Sequence, residues 1–578
     1  MKETKPEALL TPYAESMDTN SPWSDYPRPG MVRDSFFSLN GAWDFAVGGE
    51  CAPDEYECKI LVPFPPESRL SGYDETIPEG GVLYYRRRFT LPEGFVKSRV
   101  LLHFGAVDTI AAVSLNGVKV GENVGGYLPF SFDITDGLTE GENELCVRVV
   151  DDLSPLYPYG KQKRDRGGMW YTPVSGIWQT VWLESVPKDY IEGLKITPSM
   201  TGVRLEVTGG AEDKRLTLDD SGKCYEWSGA CIEITVDEPK LWSPESPYLY
   251  RFTLSCGEDA VSSYFALREV GVGEVGGVPR LMLNGKPYLF NGLLDQGYYP
   301  DGIFLPATSE GYKDDILLAK RLGFNMLRKH IKVEPQIFYY MCDVYGIAVF
   351  QDMVNNSEYS FFYDTALPTV GLKRMPDRLA NKRAERQKVF IDHSLKTLET
   401  LYSHPCIVYY TIFNEGWGQF SADELYDIVK RADGTRIIDS TSGWFVRRNS
   451  DVDSRHVYFK AVKLGRGNGR PIVISEFGGY SCRVDGHLYG DGNYGYRLFA
   501  DTEKLGEAVE RLYVDEILPI IPRGISALVY TQLSDVEDET NGLVTYDRRV
   551  VKVDEERMRA AMARLAEAIN GKGEGKDE

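Results

Sequence analysis

The sequence predicts a multidomain protein in which a jelly-roll β-sandwich and an immunoglobulin-like β-sandwich precede a carboxyl-terminal (β/α)8 TIM barrel. Its 578 residues exceed the size at which a single hydrophobic core stops growing. Roughly the first half of the chain consists of short strand and turn patterns, and the second half alternates apolar strands with helical patterns. We expect the domains to span residues 1–187, 188–272 and 273–578.

The first segment contains several strand patterns separated by turn residues and no clear helix. Val82–Phe89, Arg99–Phe104, Ala111–Leu115 and Glu144–Val150 are apolar or β-branched runs, and the turn pair Asn116-Gly117 follows the third. Short strands at this spacing are typical of a β-sandwich.

A second all-β block runs from about residue 188 to about residue 270. It ends in the strand patterns Tyr248–Leu254 and Ser263–Leu267. At about eighty residues, it has the size of a small immunoglobulin-like sandwich.

From about residue 280, apolar strands alternate with helical stretches, which is the signature of a parallel sheet. Eight strands are predicted, the number that closes a barrel. They are Tyr288–Leu294, Met326–His330, Ala348–Met353, Ile407–Glu415, Ile437–Thr441, Val457–Phe459, Ile472–Phe477 and Ala527–Gln532. Helical stretches include Glu310–Leu322, Lys382–Tyr402 and Asp423–Ala432. The aromatic segment Asn355–Pro376 is too long for an ordinary connection, so we predict a loop over the barrel mouth.

Two of the predicted barrel strands end in a glutamate with glycine close behind it. One strand leads to Glu415 and the other to Glu476. Because the carboxyl ends of parallel strands meet on one face of a barrel, the two carboxylates should face each other. Two facing carboxyl groups can catalyse glycoside hydrolysis, and a separation of about 5 Å between them would indicate a retaining mechanism. Either glutamate alone could instead be a helix cap or part of a sheet rim.

Composition disfavours several classes of partner. The formal net charge is -21 and the pI is near 5.0, so the surface repels nucleic acids and anionic membranes. The sequence has no apolar run of membrane-spanning length and no apolar core at its amino terminus, which predicts a cytoplasmic protein. The nine cysteines lack the spacing of a disulfide framework. We therefore expect a small-molecule partner, no nucleic acid and no membrane.

Two further motifs resemble glycoside hydrolase family 2, the family of β-galactosidases, β-glucuronidases and β-mannosidases. The stretch Gly167–Trp178, GGMWYTPVSGIW, is similar to the signature of the family's sugar-binding domain. The stretch Leu241–Tyr250, LWSPESPYLY, is similar to its immunoglobulin-like domain. With the two glutamate motifs and the domain order, the resemblance covers nearly the whole chain.

The resemblance implies a role for each residue around the two glutamates. Glu415 would be the general acid/base and Glu476 the nucleophile, so one carboxyl must be protonated while the other is ionised. Asn414 would hold the sugar 2-hydroxyl. Arg328 could keep Glu476 ionised, and Tyr458 resembles the tyrosine that contacts the nucleophile. A structural ion pair for Arg328 and core packing for Tyr458 are the alternatives.

The remaining candidates are predicted to contact the sugar. His330 lies at the end of the second predicted strand, and Asp295 and Gln296 close the first. Trp444 could offer an aromatic face to the apolar face of a pyranose. Tyr530 stands where large β-galactosidases of the family carry a tryptophan.

The sequence also departs from the family pattern. The Glu-x-His motif that binds magnesium in large bacterial β-galactosidases is absent from Gln351–Glu358, so we expect no cofactor and no tightly bound metal. The β-glucuronidase marker Asn-x-Lys-Gly does not follow the eighth strand. Its absence disfavours a uronate substrate, whose carboxylate requires a nearby cation.

The sequence therefore predicts a retaining exo-β-glycosidase that hydrolyses terminal β-linked sugars, with β-galactosidase as the first choice. β-Glucuronidase and β-mannosidase are the alternatives within the family, and a non-catalytic carbohydrate-binding protein is the alternative from another class. The sequence leaves the sugar, the aglycone and any homo-oligomeric assembly open.

Overall fold

Two β-sandwiches lead into an eight-stranded parallel barrel, which confirms the predicted fold class. The computed structural model describes residues 9–53, 55–56, 58–369, 377, 381–445, 447–458, 460–464 and 467–569. The division of the chain at residues 187 and 272 stays a prediction.

The first sandwich packs a four-stranded sheet, order β1-β12-β5-β9, against a six-stranded sheet, order β3-β2-β4-β10-β7-β8. Residues on β10 alternate between buried and half-buried positions, so Leu145, Val147 and Val149 enter the core between the sheets. Strands β1 to β12 are Phe36–Ser38, Gly41–Gly48, Cys58–Val62, Val82–Phe89, Arg99–Phe104, Val107–Asp108, Ile110–Leu115, Val118–Val124, Phe130–Asp133, Asn143–Val150, Gly176–Ile177 and Val181–Val186.

The second sandwich consists of sheets β13-β14-β17 and β16-β15-β18-β19. A three-stranded sheet, β20 to β22, then connects it to the barrel, where Leu281 and Leu283 join the apolar cluster at the starts of the barrel strands. Strands β13 to β22 are Ile191–Pro198, Gly202–Gly209, Asp213–Leu218, Cys224–Ser228, Cys231–Thr235, Tyr250–Cys256, Asp259–Phe265, Val270–Val275, Val278–Leu283 and Lys286–Pro287.

The barrel strands pair in parallel in the order β27-β26-β25-β24-β23-β32-β29-β28. Among the described residues, β27 and β28 form no backbone ladder with each other, and this gap is the seam of the barrel. Strands β23 to β29 are Phe290–Asp295, Met326–Lys329, Ala348–Asp352, Ile407–Asn414, Ile437–Ser442, Asp453–Val457 and Ile472–Gly478; β32 is Ile525–Thr531. A short pair, β30 and β31, comprises Tyr480–Cys482 and Arg497–Phe499.

The sixth barrel strand is displaced from its predicted position. The sequence predicted Val457–Phe459, but β28 spans Asp453–Val457, and Phe459 lies outside the described residues. Because β28 reads Asp-Ser-Arg-His-Val, it lacks the apolar run by which the other barrel strands were recognised.

Helices cover the outside of the barrel. The third helix, α3, spans Gln336–Tyr345 and shows how one of them ends. Its last turn is closed by Gly346, which has φ 73° and donates its N–H to Cys342 O at 3.0 Å. A Cβ atom at this position would lie 2.6 Å from Pro244 O, so only glycine allows this contact with the second sandwich. Helices α1 to α8 are Pro12–Glu15, Glu310–Arg321, Gln336–Tyr345, Leu367–Thr369, Ala384–Leu401, Ala422–Ala432, Thr502–Arg511 and Glu555–Ala568. No described helix is long and apolar enough to cross a membrane.

A buried arginine joins the two sandwiches. Arg33 donates from Nη1 to Glu184 Oε2 of the first sandwich at 2.8 Å and from Nη2 to Asp259 Oδ2 of the second at 2.9 Å. Burial alone would raise the pKa of Glu184, but Arg28, His103 and Arg33 hold it below its usual value. The two sandwiches therefore share one buried cation.

Replacing Arg33 with methionine should lower the free energy of unfolding by about 3–5 kcal/mol, because Asp259 would stay buried without its cation and Glu184 would keep only Arg28 as an arginine partner. Urea unfolding followed by circular dichroism measures the loss. Arg204→Met, which breaks an exposed pair with Glu206, is the matched control and should cause no measurable change.

The loss of unfolding free energy caused by Arg33→Met should depend on pH. Since the folded-state pKa of Glu184 is depressed, its stabilisation is present above the carboxyl's unfolded pKa of about 4.3 and is lost as the pH falls toward the folded value. The difference between wild type and Arg33→Met should therefore shrink below about pH 4. If the unfolding free energies of wild type and Arg33→Met differed equally at pH 7 and pH 3, the depressed pKa of Glu184 would be contradicted.

Candidate active site

The two predicted glutamates lie at the carboxyl ends of two barrel strands: Glu415 directly follows β26, and Glu476 is the third residue from the end of β29. Glu415 has φ 53°, a left-handed conformation that is uncommon for a residue other than glycine and is found at functional sites. Its N–H donates to Ser442 O at 2.9 Å. Gly416 follows at φ 79°, and a Cβ atom there would lie 2.2 Å from the Phe445 ring. The glutamate-glycine sequence is therefore what allows this tight turn.

The two carboxylates face each other across a short gap. Oxygen atoms of Glu415 and Glu476 and the Nδ1 atom of His456 all lie within 4.8 Å of one another. This spacing agrees with the expected separation of about 5 Å for a retaining pair.

Glu476 lies in the drier and more positive environment. Arg328 donates from Nη1 to its Oε1 at 3.1 Å, and the Tyr458 hydroxyl donates to its Oε2 at 2.7 Å. Burial alone would raise the pKa of Glu476, but His456, Arg328 and His330 together lower it to about 2. Glu476 is therefore ionised at neutral pH.

Glu415 has a different set of partners. Its Oε1 atom lies 2.7 Å from His456 Nδ1, in a hydrogen bond, and no described arginine or lysine forms an ion pair with it. Its side chain is 23% exposed, against 8% for Glu476. Two carboxylates of the same chemical type thus occupy environments that differ in burial and in charged partners.

Arg328 is at the centre of a buried network. Besides Glu476, it binds Asp352 Oδ1 from Nε at 3.0 Å and Asn414 Oδ1 from Nη2 at 2.9 Å. The second oxygen of Asp352 lies 2.7 Å from His330 Nδ1. Burial opposes these contacts, yet Arg328 and His330 lower the pKa of Asp352 to about 2. Asp352 therefore supports Arg328 and His330 with both of its oxygens.

The carboxylate pair lies in a pocket that several parts of the chain build. Loops of the first sandwich contribute one wall, the loop after β25 contributes Tyr359, and segments after β29 and β32 complete the rim. The lining residues are Lys161, Met169, Trp170, Leu294, Gln296, His330, Ile331, Tyr359, Asn414, Glu415, Trp417, Tyr458, Glu476, Tyr494, Tyr496, Thr531, Glu539 and Asn541.

Two of the lining residues, Gln296 and Glu539, belong to a chain of hydrogen bonds between polar side chains. Gln296 Nε2 donates to Gln532 Oε1 at 2.8 Å, and Gln532 Nε2 donates to Glu539 Oε2 at 2.7 Å. The Tyr171 hydroxyl of the first sandwich donates to the other oxygen of Glu539 at 3.0 Å. Burial raises the pKa of Glu539, and the positive charge of Lys161 opposes that shift.

Most of the sequence candidates come together here. Asn414, Glu415, Tyr458 and Glu476 line the pocket, as do His330 and Gln296. Arg328 lies directly behind them and contacts both Glu476 and Asn414.

Three candidates do not line the pocket. Asp295 is buried and accepts a hydrogen bond from Lys329 Nζ at 2.7 Å. Trp444 lies behind His456, with ring centroids 5.5 Å apart. Tyr530 is fully buried against Phe477 and Tyr513, and its contact with a sugar stays a prediction.

Strand alternation explains why Tyr530 is absent from the pocket lining while its neighbour is part of it. Successive side chains of a strand point to opposite faces, and Thr531 is the neighbour that reaches the pocket. Its Oγ1 atom lies 2.8 Å from the Tyr458 hydroxyl.

Sequence reasoning missed His456, Lys161 and Glu539. His456 lies on the displaced strand β28, two residues before Tyr458, where period-two alternation could have placed it beside that tyrosine. Glu539 lies just before Asn541-Gly542 in the segment after the eighth strand. Lys161 belongs to a loop of the first sandwich, and nothing in the sequence indicates that it reaches the barrel.

The aromatic loop after β25 has two distinct parts. Tyr359 packs edge-on against Trp170, at 5.0 Å between centroids, and against Trp417, at 5.6 Å. In contrast, Phe361 and Phe362 are 68% and 58% exposed, so they are not the core of the loop. The last residues of the predicted loop, 370–376, lie outside the described residues.

Models of known families match three segments of the chain. A model described as "Glycosyl hydrolase 2 galactose-binding domain-like" matches residues 81–174, and one described as "Glycosyl hydrolases family 2" matches residues 194–268. A third, "Glycosyl hydrolases family 2, TIM barrel domain", matches residues 278–466.

Curated relatives include proteins named β-galactosidase. That of Halalkalibacterium halodurans is 24% identical over 477 residues, which cover 72% of this chain and 45% of the relative. That of Aeromonas hydrophila is 27% identical over 479 residues, covering 73% and 43%. The chain thus spans about half the length of the curated relatives it matches.

Solved structures with the same fold match almost end to end. A β-D-glucuronidase of Dictyoglomus thermophilum has a TM-score of 0.72 at 18% identity and covers 93% of this chain and 98% of its own. A family 2 β-galacturonidase of Eisenbergiella tayi, bound to galacturonate, has a TM-score of 0.67 at 19% identity, with 93% and 98% coverage. At these identities the likeness concerns the fold.

Replacing Phe361 and Phe362 together with alanine should leave the thermal midpoint nearly unchanged, because both side chains are already exposed to water. Tyr359→Ala is the comparison variant. It removes packing against Trp170 and Trp417 and should lower the midpoint by several degrees. Differential scanning fluorimetry measures both. A large drop for the double variant would place these phenylalanines in a core.

Proposed function

This chain belongs to glycoside hydrolase family 2, and we propose that it is a retaining exo-β-glycosidase that removes terminal β-linked sugars by double displacement. One observation carries the proposal. Carboxylate oxygens of Glu415 and Glu476 lie within 4.8 Å of each other, and of the two only Glu476 forms a described ion pair with an arginine.

In the first step, the ionised Glu476 carboxylate attacks the anomeric carbon as the bond to the leaving oxygen breaks. Glu415 donates its proton to that oxygen, so the aglycone leaves as a neutral alcohol. Asn414, held by Arg328 through its Oδ1 atom, keeps its amide nitrogen available to the sugar 2-hydroxyl. The products of this step are the free alcohol and a glycosyl ester of Glu476.

In the second step, Glu415, now a carboxylate, takes a proton from water. The hydroxyl oxygen bonds to the anomeric carbon, and the ester bond to Glu476 breaks. Glu476 leaves as a carboxylate that Arg328 and Tyr458 stabilise through the hydrogen bonds already present. Both carboxyl groups then have their starting protonation states.

The lining of the pocket supports action on terminal sugars. Gln296 and Glu539 line it and belong to the hydrogen-bonded chain with Gln532 and Tyr171, and Trp170 of the first sandwich adds to the wall. We infer that this side of the pocket receives a single sugar unit, as exo-cleavage requires.

A β-galactoside is the substrate we propose first. The curated relatives described above bear the name β-galactosidase, and the pocket lining offers several neutral hydrogen-bonding groups to sugar hydroxyls. Gln296 Oε1, for example, is a buried pocket atom with no hydrogen-bond partner among the described residues. A hydroxyl donor would satisfy it.

A β-uronide is the second candidate, and Lys161 is the observation that favours it. The sequence disfavoured uronates because no cation followed the eighth strand, but Lys161 reaches the pocket from the first sandwich. An ammonium group there could bind a substrate carboxylate. Glu539 opposes this, because its own negative charge competes for Lys161.

Glu476→Gln should abolish turnover, whereas Glu415→Gln should spare kcat/KM for substrates with good leaving groups, because only a poor leaving group needs the proton. Rates on dinitrophenyl and alkyl β-glycosides measure the difference, which we expect to reach about 10²-fold or more. Glu424→Gln, on the exposed side of α6, is the matched control and should behave as wild type. Equal losses on both substrates for Glu415→Gln would contradict its role.

A panel of nitrophenyl β-glycosides tests the sugar. We expect a higher kcat/KM for the β-galactoside than for the β-glucuronide, β-galacturonide or β-mannoside. If a uronide is the better substrate, Lys161→Met should reduce its kcat/KM by about 10-fold to 100-fold and spare neutral sugars, since a hydrogen bond to a charged group is lost. Lys163→Met, at an exposed neighbour, is the control. Binding of sugars without hydrolysis of any substrate would support a non-catalytic protein.

A further inference from the structure

The side chain of His456 contacts both members of the carboxylate pair. Its Nδ1 atom lies 2.7 Å from Glu415 Oε1 and 3.5 Å from Glu476 Oε2. The histidine side chain is completely buried, so water does not compete for these contacts.

The second ring nitrogen of His456 is also engaged. Nε2 lies 2.9 Å from Ser442 Oγ, which is on the last residue of β27. Since β27 and β28 form no backbone ladder among the described residues, this side-chain bond crosses the seam of the barrel. Gly443 covers the ring, and a Cβ atom at that glycine would lie 2.6 Å from it. The imidazole thus has a fitted position and partners at both nitrogens.

We propose, on the basis of the retaining mechanism above, that His456 is a positioning residue that holds the acid/base carboxyl of Glu415 in its working orientation. Ser442 holds the ring at Nε2, while its own hydroxyl donates to Ser475 Oγ at 3.1 Å. Nδ1–H donates to Oε1, and the other oxygen, Oε2, is left to exchange the proton with the leaving group and later with water.

This arrangement serves both steps of the reaction. When Glu415 is protonated on Oε2, its Oε1 is a carbonyl oxygen that accepts the hydrogen bond. When Oε2 has lost the proton, Oε1 is a carboxylate oxygen that accepts it more strongly. The hydrogen bond from Nδ1–H is available to both forms of Glu415, so Glu415 keeps its orientation throughout the cycle.

The influence of His456 should fall mainly on Glu415. Glu476 retains hydrogen bonds from Arg328 and Tyr458 when the histidine is removed. Glu415 has no other side-chain hydrogen bond among the described contacts. Removing the histidine should therefore weaken acid/base catalysis by Glu415 and leave nucleophilic attack by Glu476 intact.

Two substitutions separate hydrogen bonding from packing. His456→Phe keeps a ring beneath Gly443 but has no donor, and His456→Asn keeps a donor near the position of Nδ1. For His456→Phe we expect kcat/KM on an alkyl β-glycoside to fall about 10²-fold, and kcat/KM on the dinitrophenyl glycoside of the same sugar to change less than about 3-fold. His456→Asn should recover about 10-fold of the lost activity. The sugar used is whichever the wild-type protein hydrolyses best.

Added azide gives an independent readout. With the dinitrophenyl glycoside, His456→Phe should show a lowered kcat, because the second step still needs Glu415 as a base. Azide needs no base, so it should raise this kcat and yield the glycosyl azide. His487→Phe, at a histidine that pairs with Asp547 away from the pocket, should show neither effect.

Several results would overturn the proposal. They are equal losses on both leaving groups, no loss in a folded His456→Phe protein, or no response to azide. If His456→Phe does not fold, Ser442→Ala must show the same leaving-group selectivity at about 3-fold to 10-fold, and its absence would count against the proposal equally. The proposed function is tested separately, since it fails only if wild type hydrolyses no β-glycoside or Glu415→Gln lacks leaving-group selectivity.

Discussion

The buried guanidinium of Arg328 is the constraint on which the carboxyl end of the barrel depends. It is 1% exposed, and a buried charge is tolerated only when its donors are satisfied. Asp352, Asn414 and Glu476 satisfy it, together with the carbonyl oxygen of Ser475 at 2.8 Å. These partners come from the ends of three other strands. The strands must therefore be in register around one cation, and that register brings the candidate catalytic groups together.

The pocket depends equally on the first sandwich. Tyr171 binds Glu539, and Thr172 N–H donates to Glu537 Oε1 at 2.8 Å, so loops of the sandwich are fastened to the segment after β32. Burial raises the pKa of Glu537 to about 7 despite that bond. Without this docking, Lys161 and Trp170 would not reach the barrel, and the pocket would be open on one side. The sandwich is thus part of the site.

Local sequence patterns were sufficient for most of the fold. Barrel strands with continuous apolar runs, such as Ile407–Asn414 and Ile472–Gly478, were predicted within one or two residues, because burial on both faces demands such runs. Strand β28 was misplaced because its polar residues are satisfied by neighbours distant in sequence. His456 binds Ser442 and Glu415, and Ser454 binds Ser475 at 2.7 Å.

The sequence by itself determined that two glutamates end parallel strands and that each is followed by a glycine turn, because strand and turn propensities are local. Only the tertiary structure decided their surroundings. It placed Thr531 rather than Tyr530 in the pocket, and it brought Lys161 and His456 to residues hundreds or tens of positions away. Such contacts depend on strand register and domain docking. Both are set by the packing of whole surfaces, which no short stretch of sequence encodes.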